Sequence, residues 1–198
     1  YLAAVVDARE KLRAAKPEDK MAVFAVLMRL REICCDPRLV ADNWDGGSAK
    51  LDACMELVTA AVEGGHRILL FSQFTSMLEL LAKRLDEAGV SHFTLQGSTP
   101  KPVRAELVRR FNNGEADVFL ISLRAGGTGL NLTAADIVIH YDPWWNVAAQ
   151  NQATDRAYRI GQRNPVQVYK LIAQDTIEEK IVELQQAKQD LAETVTGS

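Results

Sequence analysis

The stretch NQATDRAYRIGQ, residues 151–162, carries two arginines three positions apart, with a glutamine one turn before them. At a helical rotation of about 100° per residue, four polar residues share one face: Gln152, Asp155, Arg156 and Arg159. Four small or apolar residues share another face: Ala149, Ala153, Ala157 and Ile160. The apolar stripe would dock this helix, so the polar stripe would direct two cations at a common target.

A glycine-rich stretch, SLRAGGTGLNL (122–132), follows an apolar run. Three glycines in four residues let a backbone approach a phosphate closely or adopt positive φ. The stretch is not a P-loop, because no Gly-Lys-Ser/Thr follows, and it does not match GxGxxG. A tight strand-to-loop turn is the alternative explanation of these glycines.

A third stretch, LQGSTPKPVRAELVRRF (95–111), contains a helix-start pattern. Thr99 is a plausible N-cap, and Pro100 would occupy the first helical position. The first turn of such a helix offers free N–H groups to an anion, and Lys101 and Arg104 add positive charge beside it. The alternative is a capped surface helix whose cations are solvated.

Two adjacent tryptophans, Trp144 and Trp145, follow an apolar run in a segment typical of a turn. Both can be core anchors, whereas an exposed tryptophan could pack against a sugar–phosphate backbone. The sequence DEAG (86–89) resembles an acidic Mg²⁺-binding box, but it closes a helical pattern instead of following a strand. The three cysteines form no CxxC pair and the three histidines lack ligand spacing, so we expect no metal site.

The composition is typical of a globular protein, with 198 residues, 47% hydrophobic and 25% charged. A net charge of −3 argues against bulk positive charge as a means of binding nucleic acid, but permits a local basic groove. No apolar run approaches the roughly 18 residues of a membrane span, so we expect no membrane partner. The charged helical start predicts no signal peptide. Because Met is absent at position 1, we expect the chain to be part of a longer protein.

Five short apolar runs alternate with helical patterns or loops and must position these stretches. The runs cover residues 67–71, 92–95, 117–121, 136–140 and 166–172, and the helical patterns 75–88, 101–112 and 147–160. This alternation predicts an α/β fold with a parallel sheet sandwiched by helices. Ser72-Gln73, residues 97–99 and Ser122 directly follow three of the runs, where open α/β sheets bind ligands.

Three parts are predicted along the chain: a helical lead-in (1–45), the α/β lobe (46–175) and a C-terminal helix (176–198). The lead-in reads as two helices broken near Pro17, and the second carries a packing stripe: Met21, Phe24, Leu27, Met28 and Arg31. Thr176 and Glu179 form a capping-box pattern at the start of the C-terminal helix. That helix has an apolar stripe whose docking partner we expect to be partly missing: Ile177, Ile181, Leu184, Leu191 and Val195.

The order of these segments resembles the second RecA-like lobe of superfamily-two helicases, specifically of SWI/SNF-type double-stranded DNA translocases. Residues 68–85 resemble the family's motif IV and residues 95–112 its motif IVa. Residues 118–146 resemble motif V with its extension, and residues 151–162 resemble motif VI. The stretch LREICCDPRL (30–39) is similar to the helical approach to this lobe.

The resemblance implies a RecA-like lobe that acts on ATP and Mg²⁺ held in a cleft with an N-terminal RecA-like lobe. The Walker A lysine and the Mg²⁺-binding acids would belong to that partner lobe, since neither motif occurs in these 198 residues. Arg156 and Arg159 would act as arginine fingers, and Gln152 would hold the nucleotide or the attacking water. Loop residues would couple nucleotide to DNA: Gly127, Gly129 and Asn131.

The resemblance also implies a grip on the phosphates of double-stranded DNA, with contacts that carry little sequence information. The residues expected there are Gln73, Ser98, Thr99, Lys101, Arg104, Ser122 and Gly127, with Trp144 and Trp145 as further candidates. Localisation would be cytoplasmic and nucleoid-associated in a prokaryote, or nuclear in a eukaryote. We expect the 198 residues alone to be inactive.

Two other classes of protein compete with this interpretation. The first is a stand-alone nucleic-acid-binding α/β domain in which Arg156 and Arg159 would bind DNA phosphate without any hydrolysis. The second is a flavodoxin-like or glycosyltransferase-like domain that uses the glycine-rich loop for a small ligand. The second leaves the paired tryptophans and the 151–162 pattern unexplained.

Overall fold

The computed structural model of the chain describes residues 1–16, 18–126, 129–157 and 165–196. Five strands form one sheet within these residues: β1 (Ile68–Ser72), β2 (His92–Leu95), β3 (Val118–Ser122), β4 (Ile137–His140) and β5 (Gln167–Lys170). Their order across the sheet is β2-β3-β1-β4-β5, and every pairing is parallel. The predicted parallel α/β sheet is therefore confirmed.

Eight α-helices surround the sheet in the described part of the chain. They are α1 (Leu2–Ala14), α2 (Lys20–Cys35), α3 (Ala49–Glu63), α4 (Thr75–Glu87), α5 (Lys101–Asn112), α6 (Leu123–Gly126), α7 (Val147–Thr154) and α8 (Ile177–Thr196). A 3-10 turn, Pro37–Leu39, follows α2. No helix of the described residues is long and apolar enough to cross a membrane.

The sheet separates two hydrophobic cores, because successive residues of a buried strand face opposite sides. Ile68 and Leu70 of β1 pack with α3 and α4 on one side. Leu69 and Phe71 pack on the other side with Phe111 of α5 and with the chain around α7. The continuous apolar runs of β1, β3 and β4 are explained by this burial on both faces.

The run at 166–172 differs from the other four, because β5 lies at the edge of the sheet. Only Gln167–Lys170 form the strand, and all four residues are exposed. An edge strand pairs on one side only and is less covered by helices. The apolar residues of this run alternate with polar ones because β5 pairs with the sheet without being buried on both faces.

The predicted helix boundaries need three corrections. Ser48 caps α3 as its sequence position suggests, accepting the Leu51 N–H over 3.3 Å. Thr99 is not the N-cap of α5: Pro100 is, and the Thr99 hydroxyl instead accepts the Gln96 N–H. Helix α7 ends at Thr154 and a turn follows, so the helix predicted for 147–160 is shorter.

The third correction concerns the start of α8. The Thr176 hydroxyl accepts the Glu178 N–H, as a capping residue does. The Glu179 carboxylate, however, accepts the Asp175 N–H over 3.0 Å instead of the Thr176 N–H. Asp175 has φ 56°, which turns the chain so that its own N–H faces that carboxylate.

Candidate functional site

The carboxyl ends of β1 and β3 bring two predicted site segments side by side. Ser72 and Ser122 are register partners in these neighbouring strands. Both side chains are buried, and each hydroxyl accepts an N–H from the turn that follows its strand, Phe74 in one case and Ala125 in the other. Ser122, expected at the DNA backbone, thus holds the first turn after β3.

Asp142 lies fully buried two residues beyond β4. Its Oδ1 accepts the Ser72 hydroxyl over 2.5 Å, and its Oδ2 accepts the Gln73 N–H over 3.3 Å. Burial raises the pKa of Asp142 to about 6, although the hydrogen bonds from Ser72 and Gln73 and the nearby cations Lys50 and Arg31 act in the opposite direction. The carboxylate ties the end of β4 to the end of β1.

The side chain of Gln73 is held by a buried arginine from the lead-in. Nη2 of Arg31 donates to Gln73 Oε1 over 2.6 Å and to the Pro143 carbonyl over 2.8 Å. The same guanidinium lies over the rings of Phe74 and Trp145, at 5.7 and 5.4 Å from the ring centroids. Gln73 therefore has a fixed orientation at the end of β1.

Trp144 and Trp145 are half-buried, so they are neither fully enclosed core anchors nor freely exposed rings. Trp144 packs against the core that contains Phe71 and Phe111. The Trp144 N–H donates to Oε1 of the buried Gln150 in α7, and the Trp144 carbonyl accepts the side-chain amide of Gln185 in α8. We refer to residues 143–146 as the Trp loop.

Segments from two sides meet in an open cleft of about 820 Å³. One wall is the start of α5 with the turn before it, including Thr99, Lys101 and Arg104, and the other is formed by Gly129, Leu130 and Asn131. Candidate DNA contacts and candidate coupling residues therefore face each other. Ser98 is exposed in the turn beside this cleft.

The two predicted cations of the cleft have different surroundings. Arg104 donates to the backbone carbonyls of Thr99 and Gly97, both over 2.8 Å, and to that of Gln96 over 3.2 Å. Lys101 is exposed at the first position of the helix. Arg104 thus shapes the turn at 96–99, whereas Lys101 presents its charge to solvent.

The glycine-rich loop is fastened to α5 by one side chain. Asn112 donates to the Asn131 carbonyl over 2.8 Å and accepts the Ala134 N–H over 3.3 Å. Gly129 has φ 73°, a conformation that favours glycine, and a Cβ there would meet no atom within 4 Å. The glycine is required by the backbone turn. Gly127 lies outside the described residues.

The turn after α7 carries Arg156. Of the predicted apolar face, Ala153 and Ala157 are buried, Ala149 is half-buried and Ile160 lies outside the described residues, whereas Gln152 of the predicted polar face is exposed. The Arg156 carbonyl accepts the Leu132 N–H over 3.2 Å, so the turn is anchored beside the glycine-rich loop. Nε of Arg156 is buried and has no hydrogen-bond partner among the described residues. Arg159 lies outside the described residues.

His140, the last residue of β4, anchors the end of α7. Its Nε2 lies 2.8 Å from the Thr154 hydroxyl, which itself donates to the Gln150 carbonyl. The imidazole is buried and stacks on Phe71, with ring centroids 5.5 Å apart. Burial, with a contribution from Lys170, lowers the pKa of His140 to about 4. The neutral ring therefore donates from Nε2.

Residues 49–161 match the family described as the helicase conserved C-terminal domain. The chain belongs to this family. It is 43% identical over 185 residues to a putative ATP-dependent helicase/translocase of Bacillus subtilis, covering 90% of the chain and 20% of that protein.

Two further comparisons show that the lobe is of the SWI/SNF type. The lobe is 39% identical over 190 residues to a mouse SWI/SNF-related regulator of chromatin, subfamily A member 1, covering 89% of the chain and 18% of that protein. It superposes on the Sulfolobus solfataricus SWI2/SNF2 ATPase core solved with double-stranded DNA, with TM-score 0.81 and 31% identity. That match covers 98% of the chain and 42% of the solved one. The lobe spans about a fifth of the length of the curated relatives it matches.

Three residues of this SWI/SNF-type lobe were not among the sequence-predicted site residues: Arg31, Gln150 and Asp142. Arg31 had a signal, because it is a cation within an otherwise apolar helical stripe. Gln150 gave none, since it lies among polar residues of a short helix. Asp142 precedes Pro143 in a segment where aspartate is an ordinary turn residue, so its complete burial was not visible from the sequence.

Proposed function

We propose that this lobe is half of a DNA-stimulated ATPase motor that translocates along double-stranded DNA. The observation that carries the proposal is the cleft that joins the start of α5 to residues 129–131. One wall holds candidate DNA contacts, and the other is the loop at 129–131. That loop continues to Leu132, whose N–H donates to the Arg156 carbonyl. A phosphate-binding surface and an arginine turn are thus connected by one short stretch of backbone.

On the nucleotide side, Arg156 and Arg159 are proposed to act as arginine fingers toward the γ-phosphate of ATP. Arg156 is half-exposed in the turn after α7 and its Nε has no hydrogen-bond partner among the described residues, which is consistent with a guanidinium that gains acceptors when another lobe closes on it. Fingers of this kind offset the charge that develops in phosphoryl transfer, and contribute about 10³–10⁵ in rate. The exposed Gln152 would orient the nucleotide or the attacking water.

The remaining components of the ATPase site would come from the N-terminal RecA-like lobe. That lobe is proposed to supply the phosphate-binding lysine and the acids that hold Mg²⁺, which neutralises charge on the phosphates when bound. Several relatives are named as ATP-dependent helicases, which supports the use of ATP. The 198 residues alone are proposed to be inactive.

On the DNA side, Lys101 and the backbone of the turn at 97–99 are proposed to contact phosphates. Gln73 and the Trp loop would extend this surface along the carboxyl edge of the sheet. The likeness to an ATPase core solved with double-stranded DNA supports this partner. Alternate gripping by two lobes during each ATP cycle would move the protein along the duplex.

The test compares ATP turnover by the full-length protein and by residues 1–198, each with and without duplex DNA. We expect DNA-stimulated turnover only for the full-length protein. Arg156→Ala in that protein should remove most of the turnover while its DNA affinity stays nearly unchanged. The matched control is Arg109→Ala, since Arg109 is exposed on α5 and pairs with Glu106.

A stand-alone nucleic-acid-binding domain would give the opposite pattern. Arg156→Ala would then weaken DNA binding and leave any ATP turnover of the full-length protein intact. Turnover by residues 1–198 above background, stimulated by DNA, would contradict the two-lobe proposal directly. Protection of Arg156 by an ATP analogue only in the presence of the N-terminal lobe would support it.

A further inference from the structure

We propose that Arg31 is a positioning residue that couples the DNA side of the lobe to its nucleotide side. It does so by holding Gln73 and the Trp loop in one fixed arrangement. The inference rests on the proposed function. Arg31 lies in α2, outside the matched family region at 49–161, and none of its described contacts is with Arg156.

The first argument is the unusual environment of this cation. The Arg31 side chain is almost completely buried, with the residue 2% exposed, and no described carboxylate lies within ion-pair distance of it. A buried charge without a direct counter-ion is expensive, and an apolar residue of similar size is often at least as stabilising. Stability alone therefore does not explain an arginine at this position.

The second argument is the pair of acceptors that Arg31 joins. Nη2 donates both to Gln73 Oε1, at the end of β1, and to the Pro143 carbonyl, at the start of the Trp loop. Phe74, which follows Gln73, and Trp145, within the Trp loop, both place their rings against the guanidinium. One planar group thus fixes the distance between Gln73 and the Trp loop.

The Trp loop in turn fixes the start of α7. The Trp144 N–H donates to Oε1 of Gln150, and the Asn146 side chain caps the helix by accepting the Ala149 N–H over 3.2 Å. Helix α7 ends two residues before Arg156. A displacement of Gln73 would therefore pass through Arg31 and the Trp loop to the helix that places Arg156.

The Trp loop is held from a second side by α8. Gln185 binds the Trp144 carbonyl and lies 3.3 Å from Gln150 Oε1. Neighbouring carbonyls of the loop, those of Pro143 and Trp144, are thus bound by α2 and α8, two helices that pack on each other. The loop cannot move by itself while Arg31 and Gln185 hold these two carbonyls. A displacement of one of its partners is therefore passed on to the other.

Lysine cannot replace arginine in this role. The guanidinium plane accommodates two flanking rings while its N–H groups reach acceptors in fixed directions, whereas an ammonium is a compact point charge. Arg31→Lys keeps the positive charge and removes this geometry. Arg31→Met removes the charge and keeps most of the buried volume.

The experiment uses the full-length protein and measures thermal stability, DNA affinity, the KM for ATP and DNA-stimulated kcat. For both Arg31→Lys and Arg31→Met we expect DNA-stimulated kcat to fall about tenfold, with the KM for ATP within about twofold of wild type. The melting temperature of Arg31→Met should stay close to that of wild type, because removal of the buried charge offsets the loss of the donor to Gln73 and Pro143. The control is Arg29→Lys, an exposed arginine of the same helix, which should leave every value unchanged.

The outcomes separate the inference from the proposed function. A wild-type protein without DNA-stimulated turnover would remove the proposed function itself. A stimulated wild type together with fully stimulated Arg31→Lys would overturn the positioning role. A variant with a lowered melting temperature could lose kcat only because it unfolds. If its kcat returned to the wild-type value at a temperature well below its melting temperature, the effect would be purely structural and the positioning role would be overturned. If Arg31 acts through Gln73, Gln73→Ala combined with Arg31→Met should lose less than the product of the single effects.

Discussion

The hydroxyl of Ser72 lies 2.5 Å from the carboxylate of Asp142, where β1 and β4 end side by side. The two residues are buried and belong to segments that the sequence analysis treated separately. Because Asp142 also binds the Gln73 N–H, the carboxylate fixes the first residues after β1. Its protonation state therefore bears on the stability of the whole carboxyl edge of the sheet.

Asp142 should make the lobe less stable as pH rises. Its pKa of about 6 in the folded state exceeds the ordinary value of 3.8, so the folded state binds more protons between these values. The unfolding free energy contributed by this group then falls by ~3 kcal/mol in total as pH rises from well below 3.8 to well above 6. Urea unfolding of Asp142→Asn at several pH values should show stability rising relative to wild type across this window. A parallel pH dependence in both proteins would contradict this assignment.

His140 should have the opposite effect in an overlapping window. Its pKa of about 4 in the folded state lies below the ordinary 6.5, so the unfolded state binds more protons between these values. Its contribution is present above pH 6.5 and is lost, by ~3 kcal/mol, as pH falls toward 4. His140→Gln keeps an amide donor for Thr154 without titrating. The variant should lose less stability than wild type on acidification in the same urea series, whereas an equal loss would argue against this role.

In a hydrogen-exchange measurement, the amides of α8 should exchange slowly before about Gln185 and fast after it. Glu178, Ile181 and Gln185 are buried against the lobe, and Glu178 forms a buried ion pair with Lys50 at 2.5 Å. Leu184 and Leu191, two residues of the predicted apolar stripe, are exposed. In residues 1–198 the amides up to about residue 186 should be protected and those of 187–194 should exchange fast.

The ion pair provides a variant for that exchange measurement. Glu178→Ala would leave Lys50 buried with only the Tyr141 and Leu171 carbonyls as partners, so the first half of α8 should lose its protection. Lys180→Ala, which removes an exposed pair with Glu183, is the control. Uniform protection along α8 in wild type would show that the exposed half finds another docking surface.

Lys101 should contribute one phosphate contact to DNA binding. Replacing a cation that neutralises one phosphate lowers the log–log salt slope by about one, uniformly across sequences. Binding of a random-sequence duplex by Lys101→Ala in the full-length protein, followed over about 50–200 mM salt, tests this. Arg109→Ala should keep the wild-type slope. An unchanged slope for Lys101→Ala would instead place the DNA path toward Trp144 and Trp145.

Arg104→Ala should change the affinity for DNA more than its salt dependence, unlike Lys101→Ala. Arg104 donates to three carbonyls of the turn at 96–99, so its loss should loosen that turn. We expect weaker DNA binding at every salt concentration, with a smaller change in slope than for Lys101→Ala. Equal slopes for the two variants would mean that Arg104 also neutralises a phosphate.

The sequence alone determined the sheet, because strand formation depends on local spacing. Short, mainly apolar runs separated by helical patterns or loops predicted all five strands, with β2 matched to the residue. Motif order predicted the family, and the alternation of strands and helices predicted that the site segments meet at one edge. The exposure of β5 could not be predicted in the same way, because its position in the sheet order is not a local property.

Tertiary structure decided what each polar group does at that edge. Arg31 lies 42 residues from Gln73 and 112 from Pro143, and Ser72 lies 70 from Asp142. Sequence periodicity gives information only about residues within a few turns of each other. Residues this far apart along the chain come into contact only when the two cores pack. By its sequence Arg104 was a candidate phosphate contact, and in the fold its guanidinium binds carbonyls of the turn at 96–99. Asp142 was an ordinary turn residue by its sequence and is a buried carboxylate in the fold, because the packed chain excludes water from it.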